Sequence, residues 1–369
     1  MIRILQVVPS LNINSGMMSV VMNYYRKIDR SKVQFDFLYF GKMKDSHQVE
    51  IEKLGGHVYY MERPTFKLKD QKRLQDFFEV HKGEYTAVHC HPIWSSEVVA
   101  PAAKRSGIRH IIQHAHSTKY SEKKISAVRN YLVVKLISFF ATDYIACNDE
   151  AAQLLGKKRA AKGQVYILPN AIDLQRYAFS ESLRVKIRQE FKVDSEAVLL
   201  GSVGRLSVEK NQGYIVEIFK AIHDKNKNSK LILVGDGTLR SRIEHKITEL
   251  GLNDAVIMTG KRTDIRTILS GLDIFIMPSI FEGTPVSAIE ARTSGLPCLL
   301  SDTITKSLDM KGVKFLSIHE SPELWAREAE KLLDNNQRLN RHDYSEVVKR
   351  GFDIETEAVK LQEYYLGLR

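Results

Sequence analysis

Two acids, Glu282 and Glu290, stand eight positions apart in "FEGTPVSAIEARTSGLP", residues 281–297. Pro285 suits the first turn of a helix, "VSAIEARTS" has helical periodicity, and Gly295 with Pro297 reads as its stop. Glu282 therefore falls in the loop feeding a helix over 285–294, with Glu290 about one and a half turns inside. The free backbone N–H groups of that helix start would form an anion or hydroxyl site between the acids. Taken alone, the pair reads more readily as a capping acid plus a solvated helix acid, and the rest of the chain has to overturn that.

A second candidate lies upstream. The strand-like "AVLLGSVGRL" runs into Ser207-Val208-Glu209-Lys210-Asn211, placing Arg205 and Lys210 in one strand-to-helix loop. A guanidinium grips phosphate oxygens bidentately and an ammonium adds a compact charge, so the two suit a diphosphate leaving group. Gly16, ending the polar turn "LNINSG", would let backbone approach a phosphate from the opposite domain. The chain has no P-loop, and "GSVGRL" lacks the third glycine of a dinucleotide fingerprint. "VHCHPIW" and "QHAHST" place His89 with His91 and His114 with His116, each pair on one face of its strand. No acidic partner motif accompanies them. A single histidine hydrogen-bonding a sugar hydroxyl is favoured over a metal cluster.

The elements that must position these groups alternate. In the first half, "IRILQVVPS", "VQFDFLYF", "HVYYM", "AVHCH" and "HIIQHAH" read as strands, with helices such as 70–81 and 95–106 between them. "VYILPNAID" closes that half. The pattern restarts with "AVLLGSVGRL", "KLILVGDG", "AVIMTG", "DIFIMPS" and "PCLLSD", separated by helices near 211–225, 238–251, 263–271 and 285–294. Such alternation implies α/β architecture: two doubly wound parallel sheets, expected to face a cleft, with ligands at the carboxyl ends of the strands. Domains are expected at 1–175 and 176–352, with a terminal helix at about 353–369 crossing back onto the first.

Composition agrees with that size. A chain of 369 residues exceeds what one core usually serves. Cys90, Cys147 and Cys298 are widely separated, without CxxC spacing, which argues against a disulfide framework or a zinc site. The N-terminus lacks a signal-peptide pattern. "YLVVKLISFFATDYIA", 131–146, is too short to span a bilayer and is expected to be a buried helix running into a strand. These features predict a cytoplasmic protein.

Charge is segregated. Residues 1–180 carry 27 Lys and Arg against 16 Asp and Glu, whereas residues 181–369 carry 28 of each. The whole +11 therefore lies in the first half, densely over 104–135, including Arg129, Lys135, Lys119, Lys123 and Lys124. Anionic lipid headgroups are the expected partner of such a surface. No zinc finger, aromatic RNA platform or repeat supports nucleic acid.

Together the motifs become specific. "FEGTPVSAIEARTSGLP" resembles the E-x7-E signature of the family 4 retaining glycosyltransferases, "GRLSVEKN" is similar to their phosphate-binding segment, and "ILPNAID" to their interdomain stretch. "SDTIT" and "GLPCL" resemble the capsular and exopolysaccharide subgroup. The motifs keep the family's order over essentially the whole chain. The resemblance implies a GT-B fold whose C-terminal domain holds a sugar nucleotide, with a UDP-sugar expected. It implies Glu282 near the donor sugar, Glu290 near the ribose hydroxyls, and the main chain of Gly283, Thr284, Pro285 and Val286 between them. Arg205 and Lys210 match the diphosphate-holding residues, Gly16 the glycine of the N-terminal loop, His116 the histidine beside the donor sugar, and Lys261 the position where backbone meets the base. His91 and His114 are left as acceptor-side candidates. Three departures stand out: Ser15 at a common glycine, Ala171 in the P-N-G-I-D stretch, and Thr284 at a common leucine.

The chemistry so implied is metal-independent, retaining transfer of a hexosyl or N-acetylhexosaminyl group to a glycan acceptor, lipid-linked and presented at the inner face of the membrane. No DxD sequence occurs, and no cofactor is expected beyond the nucleotide sugar. The rivals are a sugar-nucleotide epimerase on the same scaffold and a noncatalytic sugar-nucleotide-binding subunit. The latter should have lost one of Arg205, Lys210, Glu282 or Glu290, and all four are present.

Overall fold

Two parallel sheets carry the chain. The computed structural model describes residues 1–118, 120, 124–335 and 341–368, without the side chains at 93–95, 124–126 and 335. Lys119 and Lys123 thus lie outside the described residues, as does the side chain of Lys124. The chain divides into two compact units, Met1–Ala171 with Ile354–Arg369, and Ile172–Asp353.

The first unit holds β1 (Ile2–Ser10), β2 (Val33–Gly41), β3 (Val58–Tyr60), β4 (Ala87–Cys90), β5 (His110–Ala115), β6 (Asp143–Ala146) and β7 (Tyr166–Ile167). They form one sheet in the order β3-β2-β1-β4-β5-β6-β7. The second unit holds β8 (Val198–Val203), β9 (Ser229–Val234), β10 (Val256–Gly260), β11 (Ile274–Met277), β12 (Cys298–Ser301) and β13 (Val313–Leu316), in the order β10-β9-β8-β11-β12-β13. In each sheet the strand order reverses once, between β1 and β4 and between β8 and β11. Those reversals are the switch points at which doubly wound sheets bind ligands.

Strand residues alternate between two covered faces, as buried parallel sheets require. In the second unit Leu199, Phe275, Met277, Cys298 and Leu300 join one core, while Leu200, Ile274, Ile276 and Leu299 join the other. The three cysteines are buried free thiols.

The C-terminal helix, Ile354–Gly367, packs on the first unit. Lys27 at the end of the helix Gly16–Lys27 pairs with Glu355. The Asp29 N–H donates to Gln362 Oε1 at 3.0 Å, and Tyr365 meets Phe35 edge-on at 5.7 Å. The departures at Ser15 and Ala171 have local reasons. Ser15 caps the helix Gly16–Lys27, its Oγ accepting from the Met18 N–H at 3.4 Å. Ala171 is fully buried outside the left-handed region, so its backbone has no need of glycine.

One expectation fails. The helix Lys124–Ile137 leads toward β6 as read, but it is not buried. Val134 and Ile137 face the interior, whereas Val128, Tyr131, Leu132 and Leu136 are exposed, and Phe139 just beyond is 75% exposed. Their spacing is helical, so they form one outward apolar stripe. Continuous hydrophobicity concealed which residues face water, because both faces of this helix carry apolar side chains.

Candidate functional site

In the second unit the site is built where β8 and β11 end, side by side at the switch point. The loop after β8 is pinned to the loop after β9. Gly204 N–H donates to Val234 O at 2.9 Å and Leu206 N–H to Asp236 O at 3.1 Å. This approach leaves no room for side chains on the second loop: a Cβ on Gly235 would stand 1.9 Å from Gly204 O, and one on Gly237 2.2 Å from Leu206 O. Gln212 closes the turn, its Nε2 donating to Arg205 O at 2.6 Å while its Oε1 accepts from Ser207 N–H at 3.3 Å. Arg205 is left exposed, without a side-chain partner among the described residues.

Lys210 ends a 3-10 turn, and Asn211 takes a left-handed conformation with φ 55° before the helix Gln212–Lys225. The same segment is tied to the loop after β11, since Asn211 Nδ2 donates to Pro278 O at 3.2 Å and Ile280 N–H to Glu209 O at 2.8 Å. Ser301 and Thr303 secure that loop from the other side, both hydroxyls donating to Ser279 O. These ties bring Lys210 Nζ within 2.5 Å of Glu282 Oε1, with both side chains under one-fifth exposed.

Gly283 and buried Thr284 then lead into the helix Val286–Thr293, with Pro285 as an N-cap that makes no side-chain bond. Ala288 N–H already donates to Pro285 O at 3.1 Å, so the first-turn donors left to a ligand beside Glu282 are the N–H groups of Val286 and Ser287. Glu290 lies inside that helix, 9% exposed. Burial pushes its carboxyl up to about 7, against the opposing hydrogen bond with Tyr177 and the charge of Arg176. Lys261 stands apart. It is exposed beyond β10, at the sheet edge two strands from β8, with no ion pair to Glu282 among the described residues.

The first unit assembles its own cluster. β4 pairs in parallel with β5, so the two histidine pairs merge into one group. His89 and His91 stack at 4.3 Å between ring centroids, His114 and His116 at 3.8 Å. His91 Nδ1 lies 2.7 Å from His116 Nε2, and His89 Nε2 lies 3.1 Å from His114 Nδ1. Gln6 Oε1 of β1 is 2.8 Å from His91 Nε2, and the Tyr365 hydroxyl is 2.7 Å from His89 Nδ1. Desolvation holds all four rings neutral, lowering His89 to about 3 and His116 to about 4, with His91 and His114 well below the ordinary value. Gly16 begins its helix beyond β1, across the switch point from β4. Nothing lies within 4 Å of a Cβ placed there, so the fold itself does not require glycine at this position.

His89, His91 and His114 present ring nitrogens within 4.8 Å of one another. Their planes are inclined by only 19° to 39°, and an imidazole lone pair lies in its ring plane. Stacked rings cannot aim three such lone pairs at one ion without turning and breaking the bonds just described. The cluster is a hydrogen-bonded stack.

Gln6, Tyr365 and the anchors Gln212 and Asn211 went unread in the sequence. Gln212 and Asn211 follow directly on "GRLSVEK", but nothing in their spacing shows which carbonyls they reach. Gln6 and Tyr365 are 359 positions apart, and only the folded contact joins them.

The profile of the family "Glycosyl transferases group 1" matches residues 184–349, which include Arg205, Lys210, Lys261, Glu282 and Glu290. The putative glycosyltransferase EpsF of Bacillus subtilis (strain 168) is 31% identical over 335 residues, 88% of this chain and 86% of that protein. The chain belongs to the group 1 glycosyltransferases. The glycosyltransferase is also 28% identical over 244 residues, 64% of its length, to 62% of the UDP-Gal:alpha-D-GlcNAc-diphosphoundecaprenol alpha-1,3-galactosyltransferase of Escherichia coli. Among solved structures, HepE of Anabaena in complex with UDP-glucose superposes with a TM-score of 0.83 at 18% identity, over the full length of both chains. That likeness shows the two-domain GT-B fold.

Proposed function

We propose that this glycosyltransferase moves a hexosyl or N-acetylhexosaminyl group from a UDP-sugar to a hydroxyl of a lipid-linked glycan, with retention at the anomeric carbon, in capsular, exopolysaccharide or related cell-surface glycan synthesis. The observation that carries the reading is the convergence of Lys210, Glu282 and the open first turn of the helix Val286–Thr293 at the switch point of the second unit. The exposed Arg205 guanidinium begins the same loop as Lys210. As the bond between the anomeric carbon and the diphosphate oxygen breaks, the negative charge collecting on the diphosphate is taken up by Arg205, Lys210 and main-chain N–H groups. The acceptor oxygen bonds the anomeric carbon on the face the leaving group vacates, and its proton passes to the departing phosphate. Glu282 orients sugar hydroxyls and positions Lys210, and Glu290 accepts from the ribose hydroxyls.

Two cations and the helix-start donors supply the charge that a divalent metal would otherwise bring, so the reaction proceeds without one. A UDP donor is in keeping with the ligand of HepE, and a lipid-linked acceptor with the name of the E. coli relative. The apolar stripe on the helix Lys124–Ile137, flanked by Arg129 and Lys135, suits docking on the anionic inner face of the membrane.

Supplying the protein with a UDP-sugar panel and a lipid-linked disaccharide tests this reading, the product's anomeric configuration being read by NMR. An axial glycoside from an axial donor is expected. An inverted product, or epimerised donor without transfer, would replace the reading.

A further inference from the structure

Each ring of the histidine stack is neutral, so each carries one proton on one of two nitrogens, and neighbours must alternate donor with acceptor. Gln6 decides the alternation. Its Nε2 donates to the Tyr365 hydroxyl at 3.3 Å, which turns Oε1 toward His91 Nε2 at 2.8 Å. A carbonyl oxygen only accepts, so His91 carries its proton on Nε2 and offers a bare Nδ1. The facing atom, His116 Nε2 at 2.7 Å, must then be the donor. His116 Nδ1 is left without a proton, and no described residue bonds to it.

We propose that Gln6 and His91 are positioning residues that lock His116 in the Nε2–H tautomer, so that a partly exposed ring presents Nδ1 as a fixed hydrogen-bond acceptor to a sugar hydroxyl. The lock extends to the second pair. The Tyr365 hydroxyl, already accepting from Gln6, donates to His89 Nδ1, and His89 Nε2–H donates to His114 Nδ1. All four tautomers are thus tied to one amide orientation, which puts the His114 proton on Nε2, a buried nitrogen without a hydrogen-bond partner among the described residues. Rotating the Gln6 amide by half a turn would reverse every bond and make His116 Nδ1 a donor. A site that accepts from a hydroxyl differs from one that donates to it, because hydroxyl groups oriented by other contacts are matched or rejected accordingly.

The assignment of His116 to a sugar rests on the proposed function, but its tautomer does not, and the test separates them. In protein carrying 15N-histidine, long-range 1H–15N correlation distinguishes protonated from bare ring nitrogens. The expected result is a bare Nδ1 and protonated Nε2 on both His91 and His116. Gln6→Met, which removes the acceptor facing His91, lets His116 populate both tautomers and lowers kcat/KM with the melting transition still cooperative. A proton on His116 Nδ1 in the wild-type protein overturns the proposal. So does an unchanged His116 pattern in folded Gln6→Met. An absence of glycosyl transfer with the expected tautomers would instead count against the proposed function alone.

Discussion

Lys210 Nζ lies 2.5 Å from Glu282 Oε1, joining the loop that follows β8 to the loop that follows β11. Neither loop holds this geometry by itself. The bonds from Asn211 to Pro278 and from Ile280 to Glu209 bring the two chains together, and the ion pair then fixes where the ammonium points. A diphosphate arriving at this site meets a lysine already aimed and partly desolvated, with little reorganisation left to make.

The pair should behave as a unit. Lys210→Ala and Glu282→Gln are each expected to lower turnover, and the double variant to lose less than the two losses combined. The coupling should fall at about 0.5–3 kcal/mol, the range for residues in direct contact. Steady-state rates of the four proteins in a double-mutant cycle check it. Strict additivity would mean that the two side chains serve separate steps.

In the proposed ribose-binding role, Glu290 would give donor binding a pH dependence whose sign follows from its raised carboxyl. Its carboxyl is raised by burial to about 7, and in the proposed role the ionised form is the stronger acceptor for ribose hydroxyls. Donor affinity is therefore expected to weaken as pH falls below that value, by at most about tenfold per pH unit, as the ionised fraction falls. Binding near neutrality should release a proton. In the empty protein a carboxyl raised in the fold favours the protonated form, so stability falls as pH rises from the ordinary carboxylate range to about 7. Calorimetric titration with a UDP-sugar, whose diphosphate does not titrate near neutrality, in two buffers of different ionisation enthalpy measures the proton, and Glu290→Gln should abolish its release. Equal affinity at about pH 6 and about pH 8 would remove Glu290 from the site.

Much of this arrangement was legible. The strand-turn-helix units carrying Arg205, Lys210 and Glu282 follow from hydrophobic runs that end in glycine-rich turns, since a buried parallel strand needs apolar residues on both faces. β13 was not legible. It carries Lys314 at the sheet edge, where a charged side chain blunts pairing and erases the apolar run. The outward stripe of the helix Lys124–Ile137 was likewise hidden, because periodicity shows which residues share a face but not which face meets water. The histidine stack required knowing that β4 and β5 are neighbours, a fact of topology that spacing within either strand does not hold.

Chelation should leave transfer intact. With Arg205 and Lys210 supplying positive charge to the leaving group, EDTA is expected to change the rate of a metal-stripped preparation little. Restoration of a lost activity by Mg²⁺ or Mn²⁺ would show that the cations present are insufficient.

Vesicle flotation tests the first unit's surface. Retention is expected on phosphatidylglycerol vesicles, weaker on neutral ones, with partial release at high salt, since basic residues add about 1 kcal/mol each near an anionic surface and are screened by ions. Leu132→Ser with Leu136→Ser should lower binding to both vesicle types, and Arg129→Gln with Lys135→Gln only to the anionic ones. These side chains point outward, so the folded protein should be unaffected. No binding to either vesicle type would remove the docking surface and leave the donor site untouched.

The most direct measurement is release of UDP from a panel of UDP-sugars, followed by wild-type, Arg205→Ala and Lys210→Ala proteins at saturating donor. Loss of one charged contact to the departing diphosphate costs roughly 2.7–4 kcal/mol, or about 10²–10³ in rate. The account predicts that one or a few sugars are turned over by the wild type, that each variant is slower by that factor, and that all three proteins melt alike. Undiminished rates in both folded variants would contradict it.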